Sequence, residues 1–293
     1  MNRNRDINAP IRIVLLGSDT VVGEALLLFS AELPEFEWYS LSCNELFKHD
    51  YSSEFLQGIE CDVIIDALSM DRCLDSRYQS FRNALVDYSE RSNTQVVMIS
   101  SALVFSGDKE TAYDENDLPD SKDSYSLSLI ESENCFLSLS QNIVLRTGWL
   151  FSGKNDDFVC RTIDLIKKRV NLAHNDSFVG SPSPVSDLAR VILTMIKQHY
   201  NGSTNTGVYH YCCSEEISWY GFVEAILATA GQFDPKAPVS VEAISDCFPD
   251  SEDIVLVKRQ SLSCRRVFNH FGVKQRPWRA SLRKLVKDLY QRI

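Results

Sequence analysis

Residues 11–17 read IRIVLLG, an apolar run closed by a glycine, and VVGEALLLFSAEL follows almost at once with apolar residues at helical spacing. A run of that length bounded by glycine reads as a strand buried on both faces. In the helix that follows, Val22, Ala25, Leu26, Phe29 and Leu33 fall on one face. A buried strand turning into an amphipathic helix commits the chain to layers, because each apolar face must be covered by another element. The alternation repeats. Strands are expected at Phe36–Ser42, Cys61–Leu68, Gln95–Ser101 and Asn142–Trp149. Helices are expected at SFRNALVDYSERS and in SLSLIESENCFLSL, beginning near Tyr125. The reading is an α/β chain with a doubly wound parallel sheet.

Beyond Trp149 the rhythm changes. DFVCRTIDLIKKR, SPVSDLARVILTMIKQHY and SWYGFVEAILATAG read as helices, the last ended by Gly231. GVYHYCC (Gly207–Cys213) reads as a short strand that rejoins the main sheet. At 293 residues the length suits two units. Residues 8–150 form a Rossmann-like dinucleotide-binding domain, with 185–213 returning to it. Residues 151–184 and 214–293 form a smaller C-terminal substrate lobe.

The formal net charge of −10 argues against a nucleic-acid backbone as partner. No apolar run approaches the length of a membrane span. The first ten residues, MNRNRDINAP, lead into no apolar core of a signal peptide. The nine cysteines are scattered without a Cys-x-x-Cys pair, so free thiols in the cytoplasm are expected. The five histidines lack metal-ligand spacing, and no metal site is expected.

In a Rossmann fold the turn after the first strand needs glycines for its tight bend and close approach to a pyrophosphate, which the helix N-terminus attracts. Here the turn is GSDTVVG. Gly17 and Gly23 keep the first and third glycine positions of Gly-x-x-Gly-x-x-Gly, and Thr20 holds the middle one. Two roles stay open: a packing turn alone, or a weakened dinucleotide site that includes Val22.

The motif segments then identify a resemblance. VVMISSALVFSGDKETAYDENDLPDSKDSYSLS, IVLRTGWLFSGKNDDFV, DSFVGSPSPVSDLARVI and GVYHYCCSEEISWYGFVEAIL resemble, in the same order, segments of the dTDP-4-dehydrorhamnose reductase family, an extended short-chain dehydrogenase/reductase type. The resemblance implies reduction of a nucleotide-sugar 4-keto group with NADP or NAD as cofactor. A tyrosine would donate the proton, and a lysine one helical turn later would lower its pKa and hold the cofactor ribose. Tyr125 matches that tyrosine and Ser101 the assisting hydroxyl, but Leu129 stands where the lysine is expected. Lys122, in the preceding loop, is the substitute cation within reach. The resemblance also places Asp66, Ala67 and Ser100 beside the cofactor, and Phe105, Trp149, Arg259 and Ser263 beside the substrate.

Further departures fall at the same site. The family's Asn-Ala-Ala-Ala after the third strand becomes Asp66-Ala67-Leu68-Ser69, with added bulk and charge. Ala102 and Leu103 replace an Asp-Tyr pair, and Gln260 and Leu262 replace a proline and an asparagine. Three readings follow. The first is a non-catalytic or strongly impaired homologue that binds a ligand or a protein partner. The second is an active NAD(P)-dependent reductase or epimerase of a nucleotide sugar. The third is a sensor of NAD(P) or a nucleotide sugar without turnover. A homodimer is a further expectation from the family.

Overall fold

The computed structural model of the protein describes residues 9–48, 56, 58–154, 157–237, 240–244 and 257–291. The first half alternates as β1 (Ile11–Leu16), α1 (Val21–Ser30), β2 (Phe36–Leu41), α2 (Cys43–Lys48), β3 (Val63–Asp66), α3 (Ser69–Arg72), α4 (Ser76–Ser92), β4 (Gln95–Ser101), α5 (Ser124–Leu137) and β5 (Ile143–Thr147). The second half runs β6 (Trp149–Phe151), α6 (Phe158–Lys167), β7 (Leu172–Asn175), β8 (Val179–Gly180), β9 (Pro182–Pro184), α7 (Val185–Tyr200) and β10 (Gly207–Tyr211). It ends with β11 (Ile217–Ser218), α8 (Trp219–Ala230), β12 (Val241–Ile244), β13 (Arg259–Gln260), α9 (Arg265–Phe271) and α10 (Arg279–Gln291).

Six strands form one parallel sheet in the order β10-β5-β4-β3-β1-β2. The order reverses between β1 and β3, the switch point at which doubly wound sheets open a crevice beyond the strand ends. β1, β3 and β4 are rich in Val, Ile and Leu because helices cover both faces. α1 packs against α7 on one side, and α4 against α5 on the other.

A second, smaller core gathers Phe151, Val159, Ile163, Ile166, Phe222, Ile226 and Val286 from β6, α6, α8 and α10, with Trp278 just before α10. Three small sheets frame this lobe: β6 with β9, β7 with β12, and β11-β8-β13.

Local differences from the sequence reading have physical causes. The third strand stops at Asp66 because the Leu68 amide turns back onto Asp66 Oδ1 at 3.0 Å, which starts α3. Phe29 does not join the buried face of α1. It is 41% exposed, and Ser30 is buried instead with its hydroxyl on the Leu26 carbonyl at 2.8 Å. Gly231 does end α8, but with φ −59° and right-handed backbone, so no left-handed cap is used there.

Candidate active site

The crevice at the switch point begins with Gly17, whose φ of +84° favours glycine. Gly23 is required by contact: a Cβ there would stand 2.0 Å from the Gly17 carbonyl oxygen. Thr20 is the N-cap of α1. Its hydroxyl donates to the Gly17 carbonyl at 2.7 Å and accepts from the Gly23 amide at 3.0 Å. So one of the amides freed at the helix start is already taken by the chain itself. Val22 lies just inside the same turn and is buried.

The space above Gly17 is occupied by aliphatic carbon. A Cβ placed on Gly17 would lie 2.9 Å from Leu68 Cδ2 and 2.9 Å from Thr20 Cγ2. Leu68 is fully buried, and Ala67 beside it is nearly so. Sequence reading placed Asp66 beside a dinucleotide. The structure turns its carboxylate into the core, where it accepts from the Tyr78 hydroxyl at 2.5 Å and from the Leu68 amide. Burial pushes its pKa up to about 6 against those hydrogen bonds.

α3 then lies between the two sides of the crevice. On one side the Met70 carbonyl accepts from the Tyr125 hydroxyl at 2.9 Å. The Ser69 hydroxyl also donates to the Ile99 carbonyl in β4, at 2.5 Å. On the other side Arg72 acts on Cys43, at the start of α2, whose thiol is pushed up to about 11 by burial and by Asp19. At the mouth, Lys154 from the lobe pairs with Glu24 in the first turn of α1 at 2.7 Å.

Tyr125 sits in the first turn of α5, which Asp123 caps through the Ser126 amide at 2.9 Å. Burial raises its phenol pKa well above the ordinary value, and Cys73, Asp71 and Asp123 add to the effect in the same direction. Leu129, one turn on, is fully buried in the core. Lys122 is exposed. The tyrosine is therefore surrounded by groups that oppose its ionisation, the reverse of what a lysine partner would do.

Ser101, at the end of β4, accepts from the Leu103 amide at 3.2 Å and starts a short turn. Ser100 points into the core, donating to Glu133 Oε1 at 2.5 Å. Glu133 also holds Arg146 through two bonds of 2.9 and 2.6 Å, and both side chains are buried. His210 lies 3.4 Å from that guanidinium, and burial followed by the Arg146 charge lowers its pKa to about 3. This neutral histidine and the ion pair knit β4, α5, β5 and β10 together.

The residues expected near a substrate gather at two places: Phe105 and Ser263 meet at Tyr113, and Trp149 and Arg259 flank β8. Phe105 is fully buried, stacked on Tyr113 at 4.1 Å and under the Arg146 guanidinium at 5.0 Å. Trp149 stacks on Trp219 at 3.9 Å and closes over Gly180, where a Cβ would meet its ring at 2.4 Å. Its indole nitrogen is buried without a partner. Arg259 pairs with Glu216 at 2.6 Å, and the Ser263 amide donates to the Tyr113 carbonyl at 2.7 Å.

Against this geometry, residues 11–291 match the family model described as the RmlD substrate binding domain. The chain belongs to the RmlD substrate binding domain family. A dTDP-4-dehydrorhamnose reductase of Aggregatibacter actinomycetemcomitans is 27% identical over 293 residues, covering 94% of this chain and 98% of that protein. The crystal structure of a dTDP-4-dehydrorhamnose reductase from Clostridium acetobutylicum superposes with a TM-score of 0.79 at 22% identity, covering 95% and 99% of the two chains. That of Bacillus anthracis, a complex with NADP, gives 0.78 at 22% identity, covering 95% and 98%. These two likenesses establish the Rossmann-like RmlD fold.

Three features of this RmlD-family chain lay outside the sequence reading. Met70 and Arg72 escaped because the run after β3 shows no apolar periodicity long enough to signal a helix. The Asp66–Leu68 turn was the available signal, since an aspartate two residues before a backbone amide favours such a turn. The Glu133–Arg146 pair escaped because charged residues default to the surface in a sequence reading. Among the described residues no cluster of metal-ligating side chains occurs, and no helix is long and apolar enough to cross a membrane.

Proposed function

We propose that this RmlD-family protein is a non-catalytic or strongly impaired homologue of the nucleotide-sugar reductases, retained as a binding or regulatory protein. The observation that carries the reading is the Tyr125 hydroxyl committed to the Met70 carbonyl, 2.9 Å away. A proton donor for a 4-keto sugar must face the developing alkoxide with a pKa matched to its task. Here Leu129 supplies no cation, and burial and the acidic neighbours raise the phenol. Loss of that assistance corresponds to a rate lower by on the order of a hundredfold, equivalent to about 3 kcal/mol in the barrier.

The crevice residues as placed do not fit a dinucleotide. Leu68 and Thr20 cover Gly17, Thr20 takes up the Gly23 amide, and α3 lies between the Tyr125 side and the Cys43 side. NADP or NAD would need α3 and Leu68 to move. The lobe keeps the Trp149–Trp219 stack and Arg259, which suit a nucleotide sugar or a protein partner as ligand.

A second reading, an active NAD(P)-dependent reductase or epimerase, draws on Gly17 and Gly23, which keep the turn geometry such a cofactor uses. Melting temperature and tryptophan fluorescence measured with NADPH, NADH and dTDP separate the two. No shift with either dinucleotide at millimolar concentration is the expected result, and a shift with dTDP alone would mark the lobe as the retained site. A dinucleotide shift without turnover would indicate a sensor. NADPH consumption with a dTDP-4-dehydro sugar at about 1 per second or faster would overturn the proposal.

A further inference from the structure

Cys212 follows β10 directly, and Cys264 directly precedes α9. Their sulfurs lie 3.8 Å apart although 52 positions separate them in sequence. Cys212 is 1% exposed and Cys264 5%. Cys264 lines a cleft of about 1180 Å³ bordered by Glu115, Arg265, Arg266, Lys274 and Gln275. Small reagents therefore have a route to the Cys264 side of the pair.

The surroundings hold both sulfurs in place. The Cys212 amide donates to the Cys264 sulfur at 3.3 Å. Gln275 donates its side-chain amide to the Cys212 carbonyl at 3.0 Å and lies 3.8 Å from the Cys212 sulfur. A proton shared between the two sulfurs lowers the pKa of Cys212 and raises that of Cys264. The adjacent Cys213 borders the same cleft, but its thiol is turned to a carboxylate. Its thiol lies 3.6 Å from Asp187 Oδ2, and burial, with Asp187 second, pushes it up to about 12. So the two neighbouring cysteines differ: one has a thiol partner, and the other is held protonated against a carboxylate.

We infer that Cys212 and Cys264 form a reversible oxidation site, closing to an intramolecular disulfide on exposure to a peroxide. One sulfur of the pair, as thiolate, attacks a peroxide oxygen. The O–O bond breaks, a sulfenic acid forms and water leaves. The second sulfur attacks the sulfenic sulfur, the S–O bond breaks, and a second water leaves. Two thiols thereby lose two electrons and two protons, and hydrogen peroxide is reduced to two waters. Closure needs the sulfurs to approach by about 1.8 Å to reach bonding distance. The bond would tie the 259–264 segment, which carries Arg259 and pairs with β8 and with Tyr113, to the edge of the main sheet. Oxidation would thus stiffen the floor of the cleft. The inference does not depend on whether a dinucleotide binds.

The test uses the full chain, treated with stoichiometric hydrogen peroxide, alkylated and digested without reduction. Expected are loss of two hydrogens from the intact mass, a linked peptide pair containing Cys212 and Cys264, reversal by dithiothreitol, and a melting temperature raised by several degrees. The link should survive Cys213→Ser and vanish in Cys212→Ser and in Cys264→Ala. A link through Cys213, or conversion of Cys264 to sulfinic acid with no link, would overturn the inference. The digest of the unaltered protein decides the matter even if a variant fails to fold.

Discussion

On the β5–β10 flank of the sheet, Arg146, Glu133, Ser100 and His210 are buried and satisfied by one another. On the β1–β3 flank, Thr20, Leu68, Asp66 and Tyr125 are also buried or half-buried, yet each is satisfied by the nearest backbone or core group. The first flank joins four separate elements through side chains. The second has drawn its polar groups onto its own turn, α3 and one tyrosine of α4, in separate pairs rather than one network. Arg146 in IVLRTGW and His210 in GVYHYCC hold the sheet together, a task independent of catalysis. Thr20, Leu68 and Leu129 instead fill the crevice and the core beside it.

The comparison can be broken first at the ion pair. Glu133→Ala would leave the Arg146 guanidinium buried beside a neutral histidine, and the loss of one partner from such a pair costs about 4 kcal/mol. Urea denaturation followed by circular dichroism should show it. A loss below about 1 kcal/mol, the range of surface pairs, would mean the flank is not held by this network.

Next in size is Leu129→Lys. In an open, hydrated groove the new ammonium would be tolerated. Leu129 is fully enclosed by the core, so the substitution should cost about 3 kcal/mol and lower the lysine pKa rather than assist Tyr125. If the variant were as stable as the parent and gained affinity for NADPH, the β1–β3 flank would be a closed cofactor site rather than a filled one.

Asp66 gives an effect of opposite sign. Its folded pKa of about 6 lies above the ordinary 3.8, so between those values the folded chain holds more protons than the unfolded one. Stability from this group is therefore full below pH 3.8 and falls as pH rises through 6. Asp66→Asn keeps an acceptor for Tyr78 without the buried charge. At pH 7 it should be more stable than the parent by up to about 3 kcal/mol, with no difference near pH 3.5. Equal melting temperatures at both pH values would show that the carboxylate is not buried as a charge.

Much of the fold was legible, and the reason is physical. IRIVLLG, the VVMI of QVVMISS and the IVL of NIVLRTGW are mostly apolar runs buried on both faces, so their sequences announce strands without reference to a partner. The crevice was legible only as substitutions. Thr20 stood out as the residue in the middle glycine position, but its capping bonds depend on where Gly17 and Gly23 sit in space. Asp66 looked like a charge facing a ligand because nothing local to it signals Tyr78, twelve positions on. Phe29 fitted the helix period, yet the helix faces the sheet with one stripe and Phe29 falls beside it.

The smallest effect is also the one that bears most directly on chemistry. Tyr125→Phe removes a hydroxyl whose observed role is one hydrogen bond to the Met70 carbonyl. Its loss should cost about 1 kcal/mol in stability and leave ligand-induced melting shifts unchanged. In a working reductase the same change removes the proton donor, and turnover would fall by about 100-fold or more while the fold is barely affected. Measuring both quantities on one preparation separates the cases. A stability loss without change in any residual NADPH oxidation fits a tyrosine whose hydroxyl now holds α3 in place. A collapse of turnover at unchanged stability would put Tyr125 back in the role its sequence position implies.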